Sequence, residues 1–327
     1  MSSQPLRIAA TQTQNGKAFE YAILCEFANK LLVYSSVQII TDNAYLNAKS
    51  CYESCTEKEK GLFSIAGSFA VNFLQDLEPR LSNNLSKNDQ IELQILNDSH
   101  GIEGDVRDVL VIRQRQEWEI GISAKNNHEA LKHSRISQNI DFGSKWLGIP
   151  CSDMYFAEIT PVFELLNKLK SEQVKWSDMD TKSEKVYKPL MLAFSNELKR
   201  IVNAGGKAAA RRLAEYLIGT RDFYKVIKRP RGVDIHAYNL RGDLGLPFND
   251  KRSKLEVPLV PLPTKIIRVD LVNCPKMNQV RVLMDFGWAI KMRIHSAKTM
   301  VEASLKFDVQ LDSHPSELFK NELIYAK

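Results

Sequence analysis

Asp108, Ser123 and Lys125 are the residues whose types and spacing point most directly to chemistry. They lie in Gly101–His133, GIEGDVRDVLVIRQRQEWEIGISAKNNHEALKH. Two β-rich segments, Asp108–Arg113 and Trp118–Lys125, flank the polar RQRQE turn and read as an antiparallel hairpin. Folding about Arg115 and Gln116 sets Asp108 opposite Ser123, and Lys125, two residues on, shares that face. A carboxylate beside an ammonium suits a Mg²⁺ site for phosphodiester hydrolysis. The Asp fixes the hard cation, and the Lys positions water or stabilises developing charge.

Three acids, Glu103, Asp105 and Asp108, precede the first strand. Asp108 ranks first because the apolar run Val109–Ile112 fixes it at the mouth of a buried strand. Asp105 is the alternative, and a metal-free polar strand entry is the plain structural reading. Glu119 is unsuitable as a second ligand: it lies about 20 Å from Lys125 along an extended strand and faces Ile112 across the hairpin. Ser123 stands where a second carboxylate would be convenient, so that acid must come from elsewhere. The candidates are Glu129, on a helix expected to begin near Asn127, and Glu20, beside an apolar helical stripe of Phe19, Ile23, Phe27 and Leu31. His128 is placed to assist water or phosphate and Arg135 to contact phosphate, although a surface-helix role serves either equally well. His128 and His133 lack the HExxH spacing of a zinc site.

The elements that must position these residues follow from periodicity. Helices are expected over Gly16–Leu32, Asn43–Glu59 and Leu62–Leu77, the last ended by Pro79 and followed by the polar linker Ser82–Asp89. Short strands are expected at Val37–Thr41 and Ile91–Ile95, and a turn at Asn97–Gly104. Beyond the hairpin, Met154–Ile159 reads as a buried strand and Pro161–Leu169 as a helix. Leu190–Asn203 and Lys207–Leu217 read as helices joined at Gly205–Gly206.

The C-terminal half is basic. Residues 201–300 hold 19 Lys or Arg against 8 Asp or Glu, whereas the whole chain has a formal net charge of +6, so the remainder is net acidic. Lys228, Arg229 and Arg231 fall in a loop broken by Pro230 and Gly232, suited either to tracking a phosphate backbone or to plain solvation. Strands are expected at Asp222–Ile227, Ile235–Leu240, Lys265–Val272, Gln279–Phe286, Trp288–His295 and Leu305–Leu311, with a closing helix at Ser316–Tyr325. In Trp288–His295, Lys291, Arg293 and His295 share one face and Ile290, Met292 and Ile294 the other. Arg281 and Lys298 extend this basic front. Arginine can bond guanine O6 and N7 together, so Arg293 and then Arg281 are candidate base readers, with phosphate contact the competing role. Trp288 is expected in the core or at the sheet edge.

The 327 residues are 44% hydrophobic and 26% charged, as in an ordinary globular protein with a full core. The five scattered cysteines do not form a disulfide framework or a metal-binding pair of pairs. The polar N-terminus and the absence of a long apolar run point to a reducing, cytoplasmic setting without a membrane span. No glycine-rich phosphate loop or nucleophile elbow supports a small-molecule enzyme. The fold class expected is α/β: a central mixed β-sheet nuclease core with flanking helices over residues 1–170, and a helical, β-rich, basic DNA-recognition region over 171–327. The alternative is that the two integrate into one compact domain.

The Asp, hairpin, Ser-x-Lys arrangement resembles a variant PD-(D/E)xK nuclease core, with Ser123 departing from the usual acid. The longer stretches GKAFEYA, SAKNNHEALKHSRIS, EYLIGTRDFYKVI and WAIKMRIHSAKTMVEASLKFDVQL resemble the HaeIII family of type II restriction endonucleases across most of the chain. That resemblance implies Mg²⁺-dependent cleavage of double-stranded DNA at GGCC, leaving blunt ends, in a prokaryotic cell. It implies that Asp108 and Lys125 match the core Asp and Lys, and it favours Glu129 as the compensating acid, since related nucleases recruit one from the following helix. A palindromic target fits a homodimer on DNA without establishing one. A cognate methyltransferase is implied as a functional partner rather than a stable subunit. The alternatives are a structure-specific repair nuclease and a non-catalytic DNA-binding protein on the same scaffold. Mg²⁺-dependent turnover and a panel of DNA substrates separate them.

Overall fold

The computed structural model describes residues 11–81, 90–97, 104–272, 276–296 and 298–325. The expected linker Ser82–Asp89, Glu103 and most of the Asn97–Gly104 turn lie outside them. The chain forms two units that interleave in sequence. One comprises 1–129, 221–260 and 317–327, and the other 130–220 and 261–316. The split therefore does not fall near residue 170. On one side of the hairpin the sheet continues with strands from the C-terminal half of the chain, so the first unit needs those segments to complete it.

The first unit is a seven-stranded mixed sheet carrying three helices. Its strands are β1 (Ser36–Ile39), β2 (Gln90–Ile95), β3 (Val109–Arg113), β4 (Trp118–Asn126), β6 (Phe223–Lys228), β7 (Gly232–Tyr238) and β12 (Phe319–Ile324), in that spatial order. β1 and β2 are parallel, as are β4 and β6, and the other pairings are antiparallel. Helix α1 (Gln12–Leu31) begins with a reciprocal Thr11–Gln14 capping box and buries Phe19, Ile23, Phe27 and Leu31 completely. These side chains join Ile91, Leu93, Val109, Val111, Ile120 and Ile122 in one core.

The single helix expected over 43–59 is broken. α2 (Asn43–Ser54) ends at Cys55, and Thr56 caps α3 (Glu57–Leu77) with Glu59 reaching back to its N–H. The Thr-x-x-Glu sequence is a start signal inside a run that otherwise reads as continuous helix. Phe63 is buried in the core, whereas Phe73 stacks on Phe319 of β12 at 6.3 Å. The terminal segment expected to be a helix is thus a strand. Its exposure alternates residue by residue while it pairs antiparallel with β7, and the unpaired edge of β7 outweighs a weak local helical preference.

The second unit contains α4 (Asp153–Ser171), α5 (Lys188–Ile218) and an antiparallel sheet ordered β5 (Arg135–Ile136), β11 (Leu305–Ser313), β10 (Ala289–His295), β9 (Gln279–Met284) and β8 (Ile266–Leu271). Met154–Ile159 is the first part of α4 rather than a strand. The Ser152 hydroxyl caps the helix by accepting from the Tyr155 N–H, and Pro161 lies inside it. Pro161 looked like a helix start because proline favours the first turn. The kink of α5 falls at Gly206, whose φ of 50° and ψ of −131° are non-helical, where the Gly205–Gly206 junction was expected. Phe142, Phe194 and Phe307 pack with ring separations of 4.7 and 4.9 Å. Trp288 is fully buried, and its indole N–H donates to the Pro261 carbonyl. Cys25, Cys51, Cys55 and Cys151 are free thiols. Among the described residues, no helix is long and apolar enough to cross a membrane.

One buried polar group ties α3 to the sheet of the first unit. Glu78, 1% exposed, accepts from the Tyr224 hydroxyl at 2.6 Å and from the Gly245 N–H at 2.8 Å. Burial raises its pKa to about 7, against the lowering effect of the Tyr224 bond. An acid whose folded pKa lies above its unfolded value loses its contribution to stability as pH rises between the two. Unfolding free energy should therefore fall between pH about 4.5 and about 7, by a few kcal/mol at most. Glu78→Gln, which keeps the acceptor oxygen, should flatten that part of the profile in urea titrations at several pH values.

Candidate active site

The hairpin register builds the site. Val109 pairs with Ile122 and Ile112 with Glu119, and the Asp108 N–H donates to the Ile122 carbonyl at 2.8 Å. Asp108 is thereby set against the end of β4, as the folding of the segment about its midpoint predicts. Three donors converge on its Oδ2: the Ala124 N–H at 2.8 Å, the Lys125 ammonium at 2.9 Å and the Ser123 hydroxyl at 3.3 Å. The Asp108 and Lys125 side chains are 18% and 25% exposed, so the pair is partly open to solvent. The alternation of the hairpin explains this: apolar residues lock both strands into the core and leave the polar pair at their end.

A further acid whose charge interacts with both members of the pair is Glu20 of α1. It is 6% exposed and bonded to Lys17 at 3.0 Å. Burial, and after it the Asp108 charge, raise its pKa to about 8 against the lowering effects of Lys17 and Lys125. A carboxyl held beside another carboxylate in a dry setting is poorly disposed to ionise unless a cation joins them. Glu20 was one of the two acids expected to complete the site, placed by sequence only beside the apolar stripe of α1; packing that stripe onto the sheet brings its charge to bear on both Asp108 and Lys125.

Glu129 has a different setting. No helix starts at Asn127, which takes a left-handed φ of 55°, and the chain runs irregularly from there to β5. The Glu129 carboxylate pairs with Arg229, whose Nε also bonds Asp234 at 2.6 Å, and the Glu129 carbonyl accepts from Lys225. Arg229 holds the Glu129 pKa below its ordinary value. Without the expected helix there is no helical face to project Glu129 towards Asp108. His128 lies in the same irregular segment.

Asp105 is likewise engaged elsewhere. It holds Arg107 through Nη2 at 2.7 Å and Nε at 2.8 Å, and Arg107 Nη1 reaches Glu119 at 2.6 Å. This mostly buried guanidinium lies along β4 over Gly121, where a β-carbon would collide with its aliphatic stem. Glu119 therefore has a structural partner. The glycine inside an apolar strand was the available signal of a close approach. A cavity of about 550 Å³ lined by Arg80, Arg107, Glu119, Arg221, Asp222 and Asp243 belongs to the Glu119 end of the hairpin, not to the Asp108 end.

Lys225 is the functional candidate that the sequence reading missed. It pairs with Ser123 across β4 and β6, is 3% exposed, and donates to the Glu129 carbonyl at 2.5 Å. Burial, followed by the charge of Lys125, lowers its pKa to about 7. Its signal was a lysine in the middle of the apolar strand FYKVIK, flanked by Tyr224 and Val226.

The basic candidates divide. Lys228 ends β6 instead of entering a loop, and it is buried with its ammonium 5.5 Å from the Phe63 ring centre. Arg229 is ion-paired as above, while Arg231 is exposed. In the second unit the back of β10 is apolar as expected, with Ile290, Met292 and Ile294 at 0% exposure. Its front is not simply basic. Arg281 and Lys291 share Asp312 at 2.6 and 3.0 Å, Arg293 bonds Asp308 at 3.0 Å, and Lys298 pairs with Glu302 at 3.1 Å. The period-two pattern of β10 revealed its own cations, but not the acids that β11 sets across from them. His295 lies 6.5 Å from His133 between ring centres, and Arg135 donates to the Ser304 hydroxyl.

A mixed sheet that ends in a carboxylate–lysine pair, with a buried acid acting on both, defines a nuclease-like α/β protein. Residues 16–315 match the HaeIII restriction endonuclease family. The chain is 34% identical over 306 residues to the type II restriction enzyme HaeIII of Haemophilus aegyptius, covering 93% of this chain and 95% of that enzyme. The chain belongs to the HaeIII restriction endonuclease family, whose members are site-specific deoxyribonucleases acting on double-stranded DNA. No solved structure matches it.

Gly121→Ala should cost roughly 1–3 kcal/mol in urea unfolding, because the new methyl must displace the Arg107 stem. In the Arg107→Ala background the same change should cost clearly less, giving a measurable coupling in the double-mutant cycle.

Proposed function

We propose that this protein hydrolyses phosphodiester bonds in duplex DNA at GGCC, leaving blunt ends, with Mg²⁺ held by Asp108 and Glu20. The observation that carries this reading is the convergence of an Asp carboxylate, a Lys ammonium and the charge of a buried Glu at the end of one hairpin. The donor set fits the ion: two carboxylates offer hard oxygen ligands, and bringing a cation to Glu20 removes the penalty of its ionisation. When bound, Mg²⁺ supplies a water nucleophile of lowered pKa and charge neutralisation at the scissile phosphate.

The chain's own residues do the rest. Asp108 is oriented by the Ala124 N–H and Ser123 hydroxyl, so its carboxylate is fixed before substrate arrives. The Lys125 ammonium, 2.9 Å from Asp108, turns to the charge that develops on the phosphate oxygens. Lys225 stands one strand away and anchors the segment after β4 through the Glu129 carbonyl. Asp105 and Glu129 are the weaker ligand candidates because each already serves an arginine. On β10, Arg293 and then Arg281 are proposed to read guanine, with Asp308 and Asp312 preorganising their guanidinium groups. A GGCC target is palindromic, and a homodimer on DNA fits its two-fold symmetry.

Incubation with long duplex DNA, with and without Mg²⁺, followed by sequencing of the fragment ends, tests the whole reading. Metal-dependent blunt ends centred in GGCC are expected, and cleavage without sequence preference refutes the specificity. Lys125→Ala and Glu20→Gln should each retain DNA binding while losing most cleavage, whereas Glu129→Gln should retain far more. Arg293→Ala should weaken discrimination at one base position by about 1–3 kcal/mol; uniform weakening over all sequences would identify a phosphate contact instead.

A further inference from the structure

The cross-strand row that begins at Ser123 continues over three more residues, all of them basic. Ser123 pairs with Lys225 on β6, Lys225 with His236 on β7, and His236 with Lys320 on β12. Paired residues in a ladder project to the same face, so these side chains form one line across the sheet. Exposure increases along it: Lys225 is buried, His236 half-buried and Lys320 exposed on the edge strand. Glu129 and Asp234, the acids whose charges act on Lys320, are both already bonded by Arg229. Glu322, two residues further along β12, is exposed on the same face and limits the cationic strip on that side.

We propose that Lys320, at the outer end of this row with His236 behind it, binds a DNA backbone phosphate flanking the recognition sequence. This inference rests on the duplex-DNA nuclease reading and adds a contact outside the cleavage centre. Three strand steps from Ser123 to Lys320 span about 14 Å at about 4.8 Å per step. One strand of B-DNA advances about 3.4 Å per nucleotide, so that reach corresponds to roughly four nucleotides. In a four-base sequence cut at its middle, a phosphate four nucleotides from the scissile bond lies in the flank. The contact therefore contributes affinity without reading bases. The competing explanation is that Lys320 merely protects an edge strand from pairing with other chains; that role predicts no effect on DNA.

The test compares wild type, Lys320→Gln and Lys320→Arg in metal-free binding to two GGCC duplexes, one with long flanks and one trimmed to a single flanking pair on each side. On the long duplex, Lys320→Gln should bind several-fold more weakly, with a plot of log affinity against log salt shallower by about one. Lys320→Arg should restore most of the affinity and slope. On the trimmed duplex the difference between wild type and Lys320→Gln should disappear. An unchanged affinity and slope on the long duplex, or a deficit of equal size on the trimmed one, overturns the flanking contact. If wild type itself neither binds nor cleaves the long duplex, the nuclease reading falls with it; if wild type does both and the variant matches it, only the flanking contact falls.

Discussion

The register of β3 against β4 is the constraint on which the site depends. Ladder pairing from Val109–Ile122 to Arg113–Trp118 places Asp108 where the Ala124 N–H, the Ser123 hydroxyl and the Lys125 ammonium meet one carboxylate oxygen. A slip of one residue would turn the buried Val109 and Val111 from the core and withdraw Asp108 from Lys125 together. The hydrophobic effect thus enforces a polar geometry that no isolated ion pair would maintain, since an exposed pair contributes only about 0–1 kcal/mol.

Buried charge is concentrated in the first unit, and each group is held by particular partners. Arg107 is clamped by Asp105 and Glu119 over the bare backbone of Gly121, which keeps the hairpin's far end fixed. Glu78 ties Tyr224 of β6 to the Gly245 backbone. Glu20 on α1 interacts with the charges of Asp108 and Lys125, and Lys225 on the next strand with that of Lys125; burial disfavours the charged form of both. Arg107 is satisfied within the fold, whereas Glu78 directs one oxygen to Tyr224 and Gly245 and keeps the other buried without a hydrogen bond. Glu20 and Lys225 lie at the candidate site, where strong pKa perturbation is a physical mark of function.

The sheet of the second unit follows a different logic. Its inner face is uniformly apolar, whereas its outer face pairs cations with acids from the adjacent strand: Arg293 with Asp308, and Arg281 and Lys291 with Asp312. Such pairs restrain flexible side chains and lower the entropy lost when an arginine forms a planar, two-pronged contact with a base. A uniformly basic surface would favour any duplex; neutralised, oriented pairs suit selective contact.

Sequence alone determined the hairpin, the opposition of Asp108 and Ser123, the position of Lys125, the two-faced pattern of β10 and the break of α5 at Gly205–Gly206. All are legible because apolar periods and turn residues act over short separations. The family resemblance was carried by longer stretches of sequence, and the comparisons bear it out. Tertiary structure decided that the segment expected as a helix over Ser316–Tyr325 holds the strand Phe319–Ile324, that Met154–Ile159 belongs to a helix, and that Glu129 serves Arg229 while the charge of Glu20 acts on Asp108 and Lys125. Short apolar segments satisfy helix and strand periods alike until a neighbouring strand edge or a capping hydroxyl selects one. The partner of a charged side chain is set by packing between segments far apart in the chain. The Asp108–Lys125 pair was within reach of local reasoning because one turn connects its two strands; the choice between Glu20 and Glu129 as the second acid was not, because Glu20 arrives on a helix positioned only by the assembled core.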